Sequence, residues 1–579
     1  MTELYEKSLR KLELDNVLAQ LADCANSEDG KDRCRTLLPL DDAEEIRLLQ
    51  QQTTAACGMI VRKGAPGFHE LKPVAASLER ADRGGCLTPV ELLRIAGVLR
   101  CIRNVKAYYS EDGEPTVLDV YFQELSPNRY LEEKITNSIL SEEEIADAAS
   151  SELADIRRHM RIQSAKVKDS LQKIISSPSF SKYLRDPIIT LRGDRYVVPV
   201  KSEYKSEIPG MVHDVSSTGS TFFIEPMSAV NANNALRELL IREKKEIERI
   251  LAALSAEAAS FREGICHSYE MLVQLDCIFA RARLSHKMDG MEPEIRTNAS
   301  LELVRARHPL IDRKKVVPVS LRLGSDFDTL IITGPNMAGK STYMRQTALI
   351  ALMAQIGSFV PARACRMGVV DAIFTRVGAS DDLAAGQSTF MVEMTEVAEI
   401  LQYATAKSLV ILDEIGRGTS TFDGMSIARA VVEHIADKDG GMGCKTLFAT
   451  HYHELTDLEN AIDGVKNYNI AVKKRGDDIT FLRRIVRGPA DDSYGIEVAK
   501  LAGLPGEVTK RAKEVLKVLE ATAPNADKVT QLDFGNFEKF AAAPVPSELV
   551  DKLTAVDVET LTPLEALNFL YELKQTLVK

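Results

Sequence analysis

Residues Gly334 to Thr342 read G-P-N-M-A-G-K-S-T and fit G-x-x-x-x-G-K-[ST], a loop whose backbone N–H groups and lysine surround nucleotide phosphates. The apolar run 330–332 precedes this loop, and a helix-prone segment, 341–352, follows it. The motif requires this order of strand, loop and helix. The sequence therefore predicts a phosphate-binding loop formed by Gly334, Pro335, Asn336, Met337, Ala338, Gly339, Lys340, Ser341 and Thr342.

Three further motifs lie downstream in the order expected of an ATP-hydrolysing protein. The apolar run 409–412 ends in an acidic pair and is followed by G-R-G-T-S-T at 416–421, and T-H-Y-H-E-L follows at 450–455. Because carboxylates at the ends of buried strands can hold a metal ion beside a phosphate loop, these motifs predict hydrolysis as well as binding of a nucleotide.

The phosphate loop, the acidic pair and the T-H-Y-H-E-L motif each supply a side chain for phosphoryl transfer to water, which needs the γ-phosphate held, its charge neutralised and a water aimed in line. We expect Lys340 to reach the β- and γ-phosphates, and Ser341 and Asp413 to hold Mg²⁺. Glu414 would orient or deprotonate the attacking water, and His451 would sense the γ-phosphate. The predicted cofactors are therefore ATP and Mg²⁺, and the predicted catalytic residues are Glu414, His451 and Lys340.

Composition limits the class of protein. The 579 residues carry a formal net charge of −11, so any contact with nucleic acid must be local. The nine cysteines form no C-x-x-C pair, which predicts reduced thiols in a cytoplasmic protein. We find no secretory signal at the start and no apolar run of about 18 residues, so no membrane span is expected.

Apolar periodicity predicts two long helices in the first half of the chain. One stripe runs from Ile145 to Ile174 and predicts a helix of roughly 35 residues starting near Ser141. A matching stripe runs from Leu236 to Phe261. Two helices of similar length on either side of a short segment indicate an antiparallel arm with something at its tip; an ordinary helical bundle is the alternative.

The segment between these helices is rich in β-forming residues and basic side chains. Two β-rich runs, 196–200 and 221–224, are separated by glycines and predict a small antiparallel sheet over 185–226. A sheet held far from the core favours DNA contact through Arg192, Arg195, Lys201 and Lys205. The alternative is a solvated polar face, because nearby acidic residues offset the charge.

From about Ala299 the pattern changes to short strands that alternate with helices, which indicates an α/β domain. The predicted fold is therefore multidomain: a helical core (1–130), lever helices with a β clamp tip (131–298), an ABC-like P-loop NTPase domain (299–520), and a linker with a short helical C-terminal tail (521–579). An SMC-type ABC ATPase is a poor match, because L-S-G-G-Q is absent and the arm is too short.

The motifs of the second half resemble the ATPase domain of the MutS family of DNA mismatch repair. The resemblance rests on I-T-G-P-N-M-A-G-K-S-T-Y-M-R-Q, Q-S-T-F-M-V-E-M, L-D-E-I-G-R-G-T-S-T-F-D-G and A-T-H-Y-H-E-L. It implies that Ser388 and Thr389 face the ATP of a second protomer, and therefore a homodimer with composite ATP sites. It also implies a helix–turn–helix at S-Y-G-I-E-V-A-K-L-A-G-L-P that docks on the partner, and oligomerisation helices at the C-terminus. Gln531 to Phe534 faintly resemble the family's sliding-clamp-binding peptide but depart from its pattern.

The first half resembles a different branch of the same family, which we call MutS-two and which acts on branched DNA or stalled ribosomes. The resemblance rests on R-Y-V-V-P-V-K-S-E-Y-K, G-M-V-H-D-V-S-S-T-G-S-T-F-F-I-E-P and R-H-P-L-I-D-R-K-K-V-V-P. That branch has T-G-G-K-T where this chain has M-A-G-K-S, and it ends in a nuclease-type Smr domain that we do not find here. The chain therefore reads as a hybrid joined near 329–336, through recombination, an assembly error or an intermediate lineage.

Mismatch-repair members read mismatches with a Phe-x-Glu motif in an N-terminal domain that wedges into the duplex. The triplets 68–70, 122–124 and 223–225 fit the motif, but no such domain surrounds them. The leading hypothesis is a dimeric ATPase that binds branched or mismatched DNA by shape, with four-way junctions as the favoured substrate. The alternatives are a true mismatch-repair factor, an ATPase that splits collided ribosomes, and a hybrid whose halves do not couple.

Overall fold

A computed structural model describes residues 2–109, 115–335, 338–377, 389–475, 478–488 and 494–522. They belong to two compact units, which divide between residues 493 and 494. Because there are two units, the chain is multidomain as predicted, and it contains both helices and mixed sheets.

The first unit begins with a series of helices, and capping residues in the sequence fix where some of them start. Asp42 caps one of them, and Thr88 with Glu91 forms a capping box on another, with Pro89 in the first turn. The helices are α1 (Glu3–Lys11), α2 (Leu14–Ala22), α3 (Glu28–Arg35), α4 (Ala43–Lys63), α5 (Ala75–Asp82), α6 (Pro89–Tyr108), α7 (Asp119–Gln123) and α8 (Arg129–Ser138).

The buried residues of these helices belong to different cores. Leu4, Leu9 and Val17 of α1 and α2 pack into the core of the α/β domain. Helices α4 to α8 bury their apolar faces in a separate helical core. The predicted segment 1–130 thus contributes to more than one core, and the predicted domain bounds stay a prediction.

The predicted arm consists of two long antiparallel helices. They are α9 (Ser151–Ser176) and α11 (Met227–Ser260), with the short α10 (Pro178–Ser181) after α9 and α12 (Arg262–Met288) continuing from α11. Arg157 Nε contacts Glu243 at 2.7 Å, and Ser170 Oγ contacts Ser228 at 3.0 Å, so residue numbers rise along one helix as they fall along the other. At 1.5 Å per residue, α11 is about 50 Å long.

The start of the first arm helix was predicted wrongly. Helix α9 begins at Ser151, about ten residues after the predicted start at Ser141, and has 26 residues. Ile139 and Ile145 instead pair as an antiparallel bridge, and Ser150 caps the helix by accepting the N–H of Leu153 at 3.0 Å. Of the apolar residues before Ser150, Ile145 belongs to this bridge and Ala149 to a short 3₁₀ turn (Asp147–Ala149), although their spacing matches that of a helix.

Residues 185–226, all of them described, form the predicted antiparallel sheet at the end of the arm. Its strands are β1 (Thr190–Arg192), β2 (Arg195–Lys201), β3 (Gly210–Val215) and β4 (Thr221–Pro226), in the order β1-β2-β4-β3. A small core beneath the sheet includes Val167 and Leu171 of α9 and Ala229 of α11, so the sheet is seated on both arm helices.

Among the described residues, the strands of the α/β domain form two sheets. The strands are β5 (Glu294–Arg296), β6 (Leu301–Ala306), β7 (Val319–Leu323), β8 (Thr329–Thr333), β9 (Ala364–Gly368), β10 (Ile373–Arg376), β11 (Leu409–Asp413), β12 (Lys445–Thr450), β13 (Val465–Arg475) and β14 (Asp478–Arg487). One sheet has the order β10-β11-β12-β8-β13-β14 and is parallel except for its last pair; the other has the order β5-β9-β6-β7. The helices are α13 (Lys340–Gln355), α14 (Thr389–Tyr403), α15 (Thr421–Ala436) and α16 (Leu458–Ala461).

Helix α13 is fully buried from Gln346 to its end, and its C-terminal end is held by the helical core. Gln50 Nε2 donates to the carbonyl oxygen of Ala354 at 2.7 Å, and Thr53 Oγ1 donates to that of Gly357 at 2.6 Å. Arg281 of α12, which is buried, donates to the carbonyl oxygen of Ile356 at 3.2 Å. The donors to Ile356 and Gly357 satisfy carbonyls just past the helix end, where backbone partners are lacking, and Gln50 adds a second bond to the Ala354 carbonyl.

The second unit contains α17 (Gly495–Leu501) and α18 (Gly506–Thr522), which contact each other. The predicted sliding-clamp peptide and C-terminal oligomerisation helices lie outside the described residues. In the part of the chain that the structure describes, no helix is both long and apolar enough to cross a membrane.

We predict that Gly357→Ala destabilises the joint between α13 and the helical core. Gly357 has a φ of +77°, and an added Cβ would lie 2.1 Å from Arg281 Nη1 and 2.4 Å from Leu49 Cβ. Gly64 has the same φ with no atom within 4 Å, so Gly64→Ala is a matched control. Backbone strain of about 1–2 kcal/mol applies to both variants, and overpacking adds about 1–3 kcal/mol at Gly357 alone.

Urea unfolding of the two variants measures this difference in stability. A lower midpoint for Gly357→Ala than for Gly64→Ala is the expected result. Equal midpoints would contradict the prediction, because they would mean that Arg281 and Leu49 can move aside to accommodate the added Cβ.

Candidate nucleotide site

The phosphate-loop motif lies where the sequence predicts, between β8 and α13. Because β8 and β11 both run parallel to β12, their carboxyl ends meet at one edge of the sheet. Ligands of open α/β sheets bind at this edge. Of the predicted loop residues, Asn336 and Met337 lie outside the described residues, and so does Ser388.

Lys340 is a buried lysine at the start of α13, with 1% of its surface exposed. Its Nζ donates to the carbonyl oxygens of Gly334 and Thr450 and lies 3.9 Å from Glu414 Oε1. Burial lowers the pKa of Lys340, and the carboxylates of Glu414 and Asp413 act in the opposite direction. A buried ammonium beside carbonyl oxygens and carboxylates suits an anionic ligand such as a phosphate.

Ser341 and Asp413 come together from positions 72 residues apart in sequence. Ser341 Oγ donates to Asp413 Oδ2 at 2.5 Å. Asp413 Oδ1 is buried and has no hydrogen-bond partner among the described residues. Burial raises the pKa of Asp413, so a cation beside this oxygen would favour the ionised carboxylate.

The donor set fits Mg²⁺ bound together with a nucleotide. Mg²⁺ is usually held by one or two carboxylates plus substrate phosphates and waters. The described residues contain no cluster of three or more His, Cys, Asp or Glu side chains that could hold a metal alone. Ser341 and Asp413 would therefore need phosphate oxygens to complete the coordination shell.

Glu414 follows directly after β11 in a strained conformation. Its φ is +56°, which a residue with a side chain seldom adopts, and its backbone N–H donates to the Ala449 carbonyl at 2.9 Å. Arg417 donates to Glu414 Oε2 at 2.7 Å, a partner that sequence reasoning missed although both residues lie in the D-E-I-G-R-G motif. The strain is held by the surrounding loop, as is common at functional sites.

His451 follows β12 on the same edge of the sheet. Its ring lies 4.2 Å from that of Tyr452, centroid to centroid. Partial burial lowers the pKa of His451, while the Glu414 carboxylate acts to raise it. The imidazole is therefore favoured in its neutral form near pH 7, where one nitrogen can donate a hydrogen bond and the other can accept one.

The basic residues of the tip occupy different environments. Arg195 is buried, and its Nη1 donates to both carboxylate oxygens of Glu225 at 2.7 and 2.8 Å. Arg195 is therefore poorly placed to contact a phosphate backbone, because its guanidinium group is buried and paired with Glu225. Arg192 pairs with Asp214 at 3.2 Å and lies over the ring of Phe223.

The other two predicted tip residues belong to a group of lysines and aromatic rings. Lys201 Nζ donates to the carbonyl oxygen of Lys182 at 3.2 Å, and Lys205 Nζ lies 4.7 Å from the centre of the Phe222 ring. The rings of Tyr183 and Tyr204 lie 5.0 Å apart beside them. We call these six residues the tip patch: Lys182, Tyr183, Lys201, Tyr204, Lys205 and Phe222. Sequence reasoning missed Lys182 and the two tyrosines, although the pairs Lys182-Tyr183 and Tyr204-Lys205 are visible in the sequence.

Comparison with known proteins gives the family. The family description "MutS domain V" matches residues 330–520, and "DNA mismatch repair protein MutS C-terminal region" matches residues 543–576. A Clostridioides difficile protein named Endonuclease MutS2 is 39% identical over 534 residues, covering 91% of this chain and 67% of that protein. The chain belongs to the MutS family. The resemblance predicted from its motifs is confirmed, with the MutS2 branch supplying these relatives.

Other MutS2 relatives match at similar levels. Endonuclease MutS2 of Pelotomaculum thermopropionicum is 40% identical over 517 residues, covering 88% of this chain and 64% of the relative. The same-named protein of Ruminiclostridium cellulolyticum is 38% identical over 520 residues, covering 89% and 64%. The chain thus spans 64% of the length of these two relatives. The matches extend well past residue 336, so they do not separate the two halves, and the hybrid origin stays a prediction.

We predict that Glu225→Ala destabilises the clamp tip, because it leaves Arg195 buried without its carboxylate. Breaking a buried ion pair by removing one partner costs about 3–5 kcal/mol. Hydrogen exchange of the β2 and β4 amides measures this cost as a lower free energy of local opening. Arg192→Ala is the matched control, since its exposed pair with Asp214 contributes at most about 1 kcal/mol. Equal loss of protection in both variants would contradict the assignment of the buried pair.

Proposed function

We propose that this MutS-family chain is a Mg²⁺-dependent ATPase that binds branched or mismatched DNA and controls that binding through ATP. The observation that carries the proposal is the contact between Ser341 and Asp413, which assembles a metal-binding pair beside Lys340 and Glu414. MutS-family membership and the match of 330–520 to MutS domain V support the same reading.

The side chains divide the work of ATP hydrolysis. Lys340 holds phosphate oxygens with its ammonium group, and Ser341 and Asp413 hold the metal. Bound Mg²⁺ neutralises charge that develops on the phosphate oxygens. Glu414 orients the attacking water and accepts its proton, while neutral His451 donates a hydrogen bond toward the γ-phosphate. We further propose that Thr389, at the start of α14, and Ser388 before it face the ATP of a second protomer in a homodimer.

The tip patch is the proposed contact to DNA. Its lysines are suited to phosphates, and its aromatic rings support the ammonium groups or stack on exposed bases. This proposal keeps Lys201 and Lys205 from the predicted set, adds Lys182, and leaves Arg195 out because it is buried. Arg192 stays as a peripheral contact, since Asp214 already offsets its charge.

We predict that two substitutions at the nucleotide site affect different quantities, ATP affinity and turnover. Lys340→Ala removes the cation that holds the phosphates, so ATP affinity should fall sharply. Glu414→Ala should keep ATP affinity and lower turnover by roughly 10²- to 10⁴-fold, the usual contribution of a general base. Equilibrium binding of a fluorescent ATP analogue and steady-state phosphate release measure the two quantities. Normal affinity in Lys340→Ala would contradict the phosphate-loop assignment, and unchanged turnover in Glu414→Ala would mean that another residue activates water.

DNA binding is tested with purified protein on a four-way junction, a G·T-mismatched duplex and a matched duplex. At fixed salt, with and without ATP, we expect the tightest dissociation constant for the junction and a change when ATP is added. Preference for the mismatch would instead make the chain a mismatch-repair factor. Flat binding that ATP does not alter would contradict the proposal, and co-sedimentation with ribosomes would then favour the ribosome-splitting alternative.

Salt dependence tests the tip patch within the same experiment. Replacing Lys182, Lys201 and Lys205 with alanine should flatten the slope of log affinity against log salt by about 1 per lost phosphate contact. Lys72→Ala, an exposed lysine of the helical core, is the matched control and should leave the slope unchanged. An unchanged slope in the triple variant would move the DNA contact elsewhere.

A further inference from the structure

Glu393 is a buried carboxylate on α14, one helical turn after Thr389, with 5% of its surface exposed. Its Oε1 accepts the backbone N–H of Gly416 at 2.6 Å. Gly416 lies two residues after Glu414, in the loop that follows β11. A hydrogen bond from an N–H to a buried carboxylate is about twice as strong as a neutral one, so this contact fixes the backbone next to the proposed catalytic glutamate.

The same loop is held from its other side. Tyr452, the neighbour of His451, donates its hydroxyl hydrogen to the Gly416 carbonyl at 3.0 Å. The backbone of Gly416 also packs against that of Gly424 on α15, where an added Cβ would lie 2.4 Å from the Gly424 carbonyl oxygen. Glu393 and Tyr452 therefore bond to the N–H and the C=O of the same residue, which fixes the orientation of the loop.

Glu393 is anchored by a chain of charges that reaches the start of the protein. Arg376, buried at the end of β10, lies 3.7 Å from Glu393 Oε2 and 3.0 Å from Glu396 Oε2. Glu396 in turn pairs with Lys11 of α1. Removing one partner of a buried ion pair is costly. These ion pairs therefore hold the Glu393 side chain in place.

We propose that Glu393 is a positioning residue for ATP hydrolysis, acting through Gly416 on the carboxylate of Glu414. The inference rests on the proposed ATPase function. Glu414 has a left-handed backbone that the surrounding loop must hold, so loss of the Gly416 contact lets the loop relax and moves the carboxylate. Because α14 begins at Thr389, the same helix links the proposed contact with the partner's ATP to this chain's own catalytic loop.

Two substitutions of Glu393 separate the effect of its side-chain length from the effect of its charge. Glu393→Asp keeps the charge for Arg376 but shortens the side chain, so the carboxylate withdraws from the Gly416 N–H. Glu393→Gln keeps the reach and an oxygen that accepts this N–H. Positioning therefore predicts that Asp is the more harmful change: kcat falls by roughly 10- to 100-fold, as for a misplacement of about 1 Å, while Gln stays within about threefold of the parent.

Steady-state hydrolysis gives kcat and KM, and a fluorescent ATP analogue gives the dissociation constant. KM and the dissociation constant should change by less than about threefold in both variants, since neither touches the phosphates. Glu399→Asp is the matched control on the same helix, because the side chain of Glu399 makes no hydrogen bond or ion pair within the described part of the chain; its kcat should equal that of the parent. Unfolding midpoints of all variants identify any general loss of structure.

The possible outcomes are distinct. Equal kcat in Glu393→Asp and the parent, or a larger loss in Glu393→Gln than in Glu393→Asp, would overturn the positioning role. A fall in kcat that tracks the unfolding midpoint across the variants would also overturn it, since the contact would then be structural only. Absence of hydrolysis in the parent protein would sink the proposed ATPase function itself, before any variant is compared.

Discussion

The organisation of the first unit depends on α13 being fixed at both ends. At its N-terminal end, Lys340 and Ser341 contact the ends of β12 and β11. At its C-terminal end, Gln50, Arg281 and Thr53 donate hydrogen bonds to the carbonyls of Ala354, Ile356 and Gly357. Arg281 is buried without a carboxylate partner among the described residues, and the negative end of the helix dipole offsets part of its charge. The helix that would carry the nucleotide is thus bonded directly to the helical core.

This bond extends toward the arm through α12. Arg281 lies on α12, which is continuous with α11 except at Phe261, and α11 runs the length of the arm to the tip sheet. The tip sheet is also bonded to α11, because Glu225 of β4 accepts a hydrogen bond from Asn233 of α11 at 2.8 Å. A displacement at the end of α13 would therefore be carried by packed helices rather than by loops, which is the kind of element through which two distant sites can influence each other.

Local sequence patterns predicted what is local in this structure. The phosphate loop, the acidic strand end, the second arm helix and the tip sheet follow from spacing and turn residues alone. The predicted start of α9 was wrong because the bridge between Ile139 and Ile145 depends on pairing that periodicity does not encode. Arg195 and Glu393 depend on partners 30 and 23 residues away, and charge patterning does not tell whether such a residue faces solvent or a buried partner. The packing of α1 and α2 on the α/β domain was not predicted for the same reason, because it depends on partners that are distant in sequence.

The small size of the tip patch bears on how the proposed clamp would hold DNA. In a chain with a net charge of −11, three lysines release few counterions, so one tip alone would bind weakly at physiological salt. Two arms of a homodimer on one duplex would turn the second contact into an intramolecular one and raise the overall affinity without new contacts. That gain is lost when the arms cannot reach the DNA together, so a dimer whose ATP sites set the arm positions could release DNA without altering the patch itself. Weak tips on rigid arms are therefore better suited to ATP-controlled binding than a strongly basic surface would be.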